Sequence, residues 1–315
     1  MYSLSQATLG DAEGRGNGSR DSAFPRRSAY ASIMKLEKPD PRIGAIATDL
    51  DVRSLSDADW TALYHAWLDG IVLVVRGQSL TMEEFLAYSR RFGRLKPHRV
   101  RKTRHPQYPE LTLMGVGARK ADGGVDRAIY NRGGGWHTDS PWDTEICKAT
   151  QLYAIAIPSR GGDTLFANMY EAYEALPENL KRRIEGLQAE HVYGGRARKG
   201  NDLLEPEDRD LPPAVHPIVR IHEETGRKSL CANPTHILRI RGLSDAESDQ
   251  LIAELTGLMV NTPAQYRHKW AVGDIVIWDN RCALHAATGG YPIDEPRIHW
   301  RVTIMQKAAE GQQAA

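Results

Sequence analysis

The sequence has little of what marks secreted, membrane or nucleic-acid-binding proteins. Its three cysteines are widely spaced and form no CxxC pattern, so we expect reduced thiols in a reducing compartment. It has no apolar run long enough to span a bilayer, and its N-terminus lacks the apolar centre of a signal peptide. The 41 basic and 40 acidic residues nearly cancel, which gives no overall attraction to nucleic acid or to membranes. These absences predict a cytoplasmic protein whose charge preferences are local.

The composition that remains is typical of a globular protein, with 41% hydrophobic and 26% charged residues. Residues 1–35 are rich in Gly, Ser, Arg and Asp, which predicts a flexible N-terminal tail. Residues 36–310 are predicted to form one domain. Within it, residues 194–213 show little periodicity, and a loop of this length is a candidate lid over a site.

Short strand-like runs dominate the predicted domain, and helices with capping signals interrupt them irregularly. This order predicts a mainly β, α+β fold, in which an antiparallel double-sheet barrel of the jelly-roll (double-stranded β-helix) type carries helical cover. A purely parallel α/β sheet fits less well, because strands and helices do not alternate regularly. Helices are predicted to begin after Ser56, Thr81, Asn168 and Ser244, and one more is predicted to begin at Pro177. Strands are predicted at 43–48, 71–75, 111–114, 150–157, 164–167, 218–221, 229–232, 266–270, 275–278 and 297–305.

The most informative stretch is residues 131–139, Asn-Arg-Gly-Gly-Gly-Trp-His-Thr-Asp. If it is a strand, its side chains alternate between two faces, so the imidazole of His137 and the carboxylate of Asp139 point the same way. That arrangement places two metal ligands on one surface. The glycine run 133–135 allows the chain to turn into the strand. Two ligands do not complete a metal site, so another part of the chain must supply a third.

His285 is the strongest candidate for the third ligand among eleven histidines. It follows the predicted strand 275–278 and the polar turn Asp279-Asn280-Arg281. Two histidines and one carboxylate occupy one face of an octahedral metal and leave positions open, which is the arrangement of non-haem Fe(II) oxygenases.

Two arginines that follow His285 provide the positive charge that an anionic co-substrate needs. Arg297, His299 and Arg301 recur at period two, so their side chains could share one side of a strand. A guanidinium can bind a carboxylate through two hydrogen bonds. One arginine could hold the far carboxylate of 2-oxoglutarate and the other an anionic substrate group. The hydroxyl of Thr164 could donate to the same carboxylate.

These motifs together resemble the taurine dioxygenase/2,4-dichlorophenoxyacetate dioxygenase family of Fe(II)- and 2-oxoglutarate-dependent dioxygenases. The resemblance extends from about residue 43 to residue 305. A lone His-x-Asp would be weak, but four motifs in the family's order are specific. The motifs are His137-Thr138-Asp139 after Trp136, the run 161–166, the run 277–281 with His285, and the pair Arg297 and Arg301.

The resemblance implies a role for each motif residue. His137, Asp139 and His285 would bind iron. Thr164 and Arg297 would bind 2-oxoglutarate. No family motif includes His299, which we therefore interpret as structural.

The resemblance also implies candidates for substrate contact. Arg301 would meet the acidic group of the substrate, and His98, Tyr193 and His236 fall where the family places pocket side chains. The taurine enzymes carry Tyr where Arg101 stands here, and Phe where His236 stands. We expect Arg101 and Arg301 to favour a strongly anionic or longer substrate over taurine itself.

The implied reaction consumes dioxygen and 2-oxoglutarate, releases succinate and carbon dioxide, and hydroxylates a small anionic organic substrate. A sulfonate, an alkyl sulfate and an aryloxyalkanoate are the candidate substrate types. The presence of Asp139 disfavours the halogenase variant, which lacks the carboxylate ligand. The family also implies a homo-oligomer, either a dimer or a tetramer.

Two other functions remain open for the same three ligands. One is a Zn(II)-dependent hydrolase, and the other is a non-catalytic metal-binding barrel that senses a small anion. Arg297, Arg301 and Thr164 argue against the hydrolase, because hydrolysis needs no anchor for 2-oxoglutarate.

Overall fold

The computed structural model describes residues 34–115, 133–198, 200 and 203–306. The predicted tail at 1–35 therefore lies almost wholly outside the described residues, as do positions 131–132 and the end of the predicted domain at 307–310. Within the described ranges, no helix has the length and apolar character needed to cross a membrane.

The described residues contain sixteen strands and six α-helices. The strands are Lys35–Glu37 (β1), Ala45–Thr48 (β2), Val72–Val75 (β3), Arg94–Lys96 (β4), Leu111–Met114 (β5), Cys147–Ala156 (β6), Thr164–Asn168 (β7), Gln188–His191 (β8), Ala214–Pro217 (β9), Val219–Ile221 (β10), Lys228–Leu230 (β11), Ile237–Ile240 (β12), Gln265–His268 (β13), Ile275–Asp279 (β14), Ala283–Ala287 (β15) and Ile298–Met305 (β16). The helices are Asp57–Gly70 (α1), Met82–Arg90 (α2), Met169–Glu174 (α3), Glu178–Ile184 (α4), Pro206–Arg209 (α5) and Asp245–Val260 (α6).

The strands form one large sheet and three small ones. The large sheet has the order β1-β2-β3-β14-β6-β16-β4, with β5 also paired to β16, and only β2 and β3 pair in parallel. The small sheets are β13-β7-β15, β12-β8-β9 and the hairpin β10-β11. The prediction of a sheet-rich, largely antiparallel fold with helical cover is therefore confirmed, as is the predicted hairpin.

The helix starts follow the predicted capping signals. Thr81 and Ser244 form complete capping boxes with Glu84 and Glu247, and Ser56 caps α1 by accepting from the N–H of Asp59. Each cap satisfies backbone donors that a helix start otherwise leaves unpaired.

Two helices show how packing decides local detail. Helix α1 ends at Gly70, and Ile71 after it takes the left-handed conformation with φ of 54°. Gly70 allows close approach, because a Cβ there would lie 3.2 Å from the backbone nitrogen of Ala45. The buried stripe of α6 runs through Leu251, Leu255 and Met259, and Leu258 is 39% exposed.

Strand β14 separates two parts of the hydrophobic core. Ile275 and Ile277 belong to the cluster beneath α1 and α2, whereas Val276 and Trp278 belong to a second cluster that includes Phe166 of β7. This alternation follows from the two faces of a strand. The second cluster joins the large sheet to β13-β7-β15, and β15 carries His285.

We predict that Gly93→Ala lowers stability by about 1–3 kcal/mol, because the added methyl group would overpack against backbone. A Cβ at Gly93 would lie 2.5 Å from the carbonyl oxygen of Met305 and 2.9 Å from Cγ2 of Ile304. The matched control is Gly257→Ala within α6, where no atom lies within 4 Å and helix propensity should raise stability by up to about 1 kcal/mol. Urea unfolding of both variants tests this, and equal stabilities would contradict it.

Candidate metal centre

His137 and His285 are joined by two backbone hydrogen bonds. The N–H of His137 donates to the carbonyl of His285 at 3.0 Å, and the N–H of His285 donates back at 2.9 Å. Residues paired in this way on antiparallel chains project their side chains to the same side. The ring centroids are consequently 4.2 Å apart.

The predicted strand over residues 137–139 is wrong, because the structure forms only this isolated bridge. Gly133 has φ of 81° and Ser140 has φ of 53°, and a regular strand does not continue through such residues. The segment is a short extended piece between two bends, and it still directs both candidate ligands inward.

Asp139 completes a cluster with the two histidines. Its Oδ1 lies 3.8 Å from Nε2 of His137, and its Oδ2 lies 3.7 Å from Nε2 of His285. One ligand atom from each residue lies within 4.8 Å of the others. Two atoms bound to one ion at about 2.1 Å each can be no more than about 4.2 Å apart, so both neighbouring pairs are close enough to share an ion.

The hydrogen bonds and the surroundings of the three side chains leave electron pairs available to a metal ion. The ring Nδ1 of His137 lies 2.6 Å from the carbonyl oxygen of Gly135, which fixes the proton there and leaves Nε2 as a lone pair. Burial and the neighbouring His137 lower the pKa of His285 to about 3, so its imidazole is neutral at neutral pH. Burial alone would raise the pKa of Asp139, but Arg301, His285 and His137 lower it far below the usual range. The donor set is thus the neutral imidazole of His285, the imidazole of His137 whose Nδ1 is held by Gly135, and the carboxylate of Asp139.

Two residues that sequence reasoning missed orient the carboxylate of Asp139. The hydroxyl of Thr150 donates to Oδ2 at 2.7 Å, and the side-chain oxygen of Asn280 accepts from the backbone N–H of Asp139 at 3.2 Å. The amide nitrogen of Asn280 in turn donates to the Thr150 hydroxyl at 3.0 Å. Asn280 lies in the polar turn 279–281 that precedes His285. Its place in that turn was the sequence signal that could have identified it.

Arg301 also reaches this carboxylate. Its Nη2 lies 3.0 Å from Oδ1 of Asp139, and its side chain is only 6% exposed. The structure therefore brings Arg301 to the candidate metal centre, in contact with a ligand group. Its contact with a substrate remains a prediction.

Thr164 is the first residue of β7, and Arg297 immediately precedes β16. The Thr164 oxygen accepts from the indole Nε1 of Trp270 at 3.1 Å, which leaves the hydroxyl hydrogen available to a ligand. Nε of Arg297 donates to the carbonyl of Gly162 at 2.9 Å, and burial lowers the pKa of the guanidinium. Among the described residues no carboxylate forms an ion pair with Arg297; the nearby Glu295 instead accepts from Ser159.

A group of aromatic side chains stands beside the triad. The His236 ring lies 6.1 Å from His137, 4.7 Å from Trp142 and 5.9 Å from Tyr193. The N–H of Gly194 donates to Nδ1 of His236 at 3.1 Å, so the ring proton resides on Nε2. Trp142 was missed from the sequence, although an aromatic residue three positions after Asp139 was a usable signal. Trp142 and Tyr193 also line a cleft of about 210 Å³.

The two remaining predicted contacts are placed differently. His98 is buried, and its Nδ1 accepts from the N–H of Val100 at 3.1 Å. Arg101 is about half exposed and pairs with Asp208 at 3.1 Å and Glu207 at 3.7 Å. The structure therefore does not bring Arg101 to the triad. The pairing links it to α5 within the candidate lid.

A second group of potential ligands, His222, Asp279 and Cys282, is also fully buried. Asp279 is already bonded by Nε and Nη2 of Arg281, at 2.8 and 2.6 Å, and by Nε2 of His222 at 3.0 Å. The Arg281 guanidinium thus occupies both carboxylate oxygens of Asp279, whereas Arg301 contacts only Oδ1 of Asp139, so Asp279 has no oxygen left for a cation. We therefore interpret this group as an internal ion pair network.

Comparisons with known proteins point to one family. A family model described as "Taurine catabolism dioxygenase TauD, TfdA family" matches residues 35–303. The chain is 36% identical over 281 residues to the (S)-phenoxypropionate/alpha-ketoglutarate-dioxygenase of Sphingobium herbicidovorans, covering 84% of this chain and 92% of that protein. It is 34% identical over 278 residues to the alpha-ketoglutarate-dependent 2,4-dichlorophenoxyacetate dioxygenase of Cupriavidus pinatubonensis, covering 85% and 96%. A solved taurine dioxygenase from Burkholderia xenovorans has a TM-score of 0.70 at 26% identity, covering 86% of this chain and 90% of that one.

We predict that Asp139→Ala weakens Mn(II) or anaerobic Fe(II) binding beyond the roughly 10- to 100-fold loss that follows removal of an outer hydrogen-bond partner. The change removes the one carboxylate of the donor set. The control is Asp143→Ala, a nearby carboxylate that pairs with Arg99 and Lys96 outside the triad. Calorimetric titration of metal into each protein measures the effect. Equal affinities for Asp139→Ala and the wild type would remove Asp139 from the site.

Proposed function

This chain belongs to the taurine catabolism dioxygenase TauD, TfdA family and is an Fe(II)- and 2-oxoglutarate-dependent dioxygenase, and on that premise we propose that it hydroxylates a small anionic organic molecule. Candidate substrates are aryloxyalkanoates, alkyl sulfates and sulfonates. The observation that supports this most is the convergence of His137, Asp139 and His285, in a chain whose half-buried Arg297 has no carboxylate partner among the described residues. The comparisons give no support to the zinc hydrolase or to the anion-sensing barrel.

The proposed metal ligands are Nε2 of His137, the carboxylate of Asp139 and Nε2 of His285. When bound, the iron and 2-oxoglutarate supply the oxidation, in which dioxygen is consumed, 2-oxoglutarate becomes succinate and carbon dioxide, and the substrate gains a hydroxyl group. The protein holds the ligand groups in place before the metal arrives. Thr150 and Asn280 keep the carboxylate in one orientation, and the Gly135 carbonyl keeps the proton of His137 away from the metal.

The proposed anchor for 2-oxoglutarate is Arg297, with Thr164 as a second donor. A guanidinium and a hydroxyl together suit a carboxylate, and a buried ionic bond of this kind is strong. Trp270 supports the site by holding the Thr164 oxygen, so that the hydroxyl hydrogen is free to face the ligand.

The proposed substrate pocket has an end that would bind the anionic group of the substrate and an end that is apolar. Arg301 supplies positive charge at the iron, and His236 presents Nε2–H as a neutral donor. His98 is a further proposed contact. Trp142 and Tyr193 form the apolar wall and suit a ring or an alkyl chain. Arg101 would act at the rim, where its pairing with α5 also connects the candidate lid at 194–213 to the pocket.

We propose three further properties of the protein. The large sheet and β13-β7-β15 would be the two halves of a double-stranded β-helix, within a single domain of residues 36–310. The enzyme would act in the cytoplasm, in agreement with its three free thiols. It would assemble as a homo-oligomer, a dimer or a tetramer, as the family resemblance implies.

The decisive experiment measures succinate released from 2-oxoglutarate with Fe(II) and dioxygen. The substrate panel contains 2-phenoxypropionate, 2,4-dichlorophenoxyacetate, an alkyl sulfate and taurine. We expect at least one of these to stimulate succinate release, and Asp139→Ala to abolish it. No succinate above the Asp139→Ala background, with metal binding intact, would overturn the proposed function.

We predict that His236→Leu raises the KM for the stimulating substrate by about tenfold, because the substrate loses one hydrogen bond to a charged group. The KM for 2-oxoglutarate should stay unchanged. His236→Gln, which keeps a donor, should recover part of the loss. A uniform change in both KM values would indicate a structural role for His236.

A further inference from the structure

His299 is a fully buried histidine in β16, and both of its ring nitrogens lack a hydrogen-bond partner. Among the buried histidines of the described residues, His299 is the one that has no hydrogen-bond partner for either ring nitrogen. The neighbouring buried histidine His268, by contrast, has a partner for its Nδ1, which lies 3.3 Å from the hydroxyl of Tyr266. A buried polar group without a partner is rare because its loss of hydration is not compensated. His299 therefore requires an explanation that packing does not supply.

The strand places His299 on the interior side of the large sheet. Trp300 belongs to the cluster beneath the helices and lies 5.4 Å from the ring of Tyr153. Side chains alternate along β16, so His299 and Arg301 face the opposite side, where Arg301 reaches Asp139. His299 thus shares its face with a residue of the metal centre.

His299 lies next to a residue that contacts the proposed anchor for 2-oxoglutarate. Its ring lies 4.5 Å from Trp270, the indole that donates to Thr164. Arg297, two residues earlier, is close enough to depress the pKa of His299. Burial, together with Arg297 and His268, lowers that pKa well below its usual value, so the ring is neutral. A neutral imidazole carries one N–H, and an anion beside Arg297 could accept a hydrogen bond from it.

We propose that His299 donates its ring N–H to the far carboxylate of 2-oxoglutarate, as a third anchor beside Arg297 and Thr164. This inference rests on the proposed function, because it assigns a role within the same co-substrate site. It differs from the sequence interpretation of His299 as structural. The ligand carboxylate gives the buried nitrogen the partner that the folded chain does not provide.

The test is calorimetric binding of 2-oxoglutarate to the Mn(II)-loaded enzyme and to His299→Met. We expect the variant to bind about 10- to 100-fold more weakly, as for the loss of one hydrogen bond to a charged group. The comparison ligand is 2-oxopentanoate, which has the same chain length but a methyl group in place of the far carboxylate. Its affinity should be the same for both proteins. His299→Gln should bind 2-oxoglutarate more tightly than His299→Met.

The melting temperature of the metal-free protein separates this role from a structural one. An apolar residue at 299 removes an uncompensated polar group, so His299→Met should melt at the same or a higher temperature. The control His268→Met should melt lower, because the Tyr266 hydroxyl loses its bond to Nδ1 and Asp274 keeps only Arg76 of its two charged neighbours, yet it should keep the preference for 2-oxoglutarate over 2-oxopentanoate.

Two results would overturn the inference. One is equal affinity of the wild type and His299→Met for 2-oxoglutarate. The other is an equal loss of affinity for both ligands together with a lower melting temperature. If the Mn(II)-loaded wild type binds no 2-oxoglutarate at all, the proposed function fails as well, and this result is distinct from the other two.

Discussion

The pair of backbone hydrogen bonds between His137 and His285 is the constraint on which the candidate metal centre depends. Backbone bonds of this kind fix the separation and the direction of both side chains without using either imidazole. The ring nitrogens therefore remain available, one with its proton placed by Gly135 and the other neutral by burial. Since β15 pairs with β7 through residues that include His285 and Thr164, the same sheet sets the distance between the candidate metal ligands and the residues proposed to bind 2-oxoglutarate.

The other determinant is the polar turn between β14 and β15. Asp279 and Arg281 form a fully buried ion pair. His222 bonds Asp279 and Glu224 bonds Arg281, which connects the pair to the hairpin β10-β11. Breaking one member of such a buried network leaves an uncompensated charge, which is costly. The turn is therefore held rigidly, and Asn280 within it can orient Asp139 and Thr150 at the same time.

The sequence predicted many of the elements, and the three candidate ligand residues that the structure brings together, for physical reasons. Capping boxes at Thr81 and Ser244 act locally, so their patterns carry over directly into helices. The spacing of His137, Asp139 and His285 belongs to a motif, and the structure brings the three together. The strand predicted at 137–139 was wrong because Gly133 and Ser140 take positive φ angles, through which a regular strand does not continue. The role of Thr150 depends on a contact between distant segments, and no local pattern reveals it, whereas the position of Trp142 three residues after Asp139 was a usable signal.

The hydrogen bond from Gly194 to His236 has a consequence for selectivity. Gly194 is the first residue of the candidate lid, and its N–H assigns the imidazole proton of His236 to Nε2, the atom proposed to face the substrate. A shift of that loop would release Nδ1 and let the proton move, which would exchange a donor for an acceptor in the pocket. Loop position and head-group preference are thus coupled through one proton. Related enzymes could change the anion they accept by altering residues of the loop that never touch the ligand.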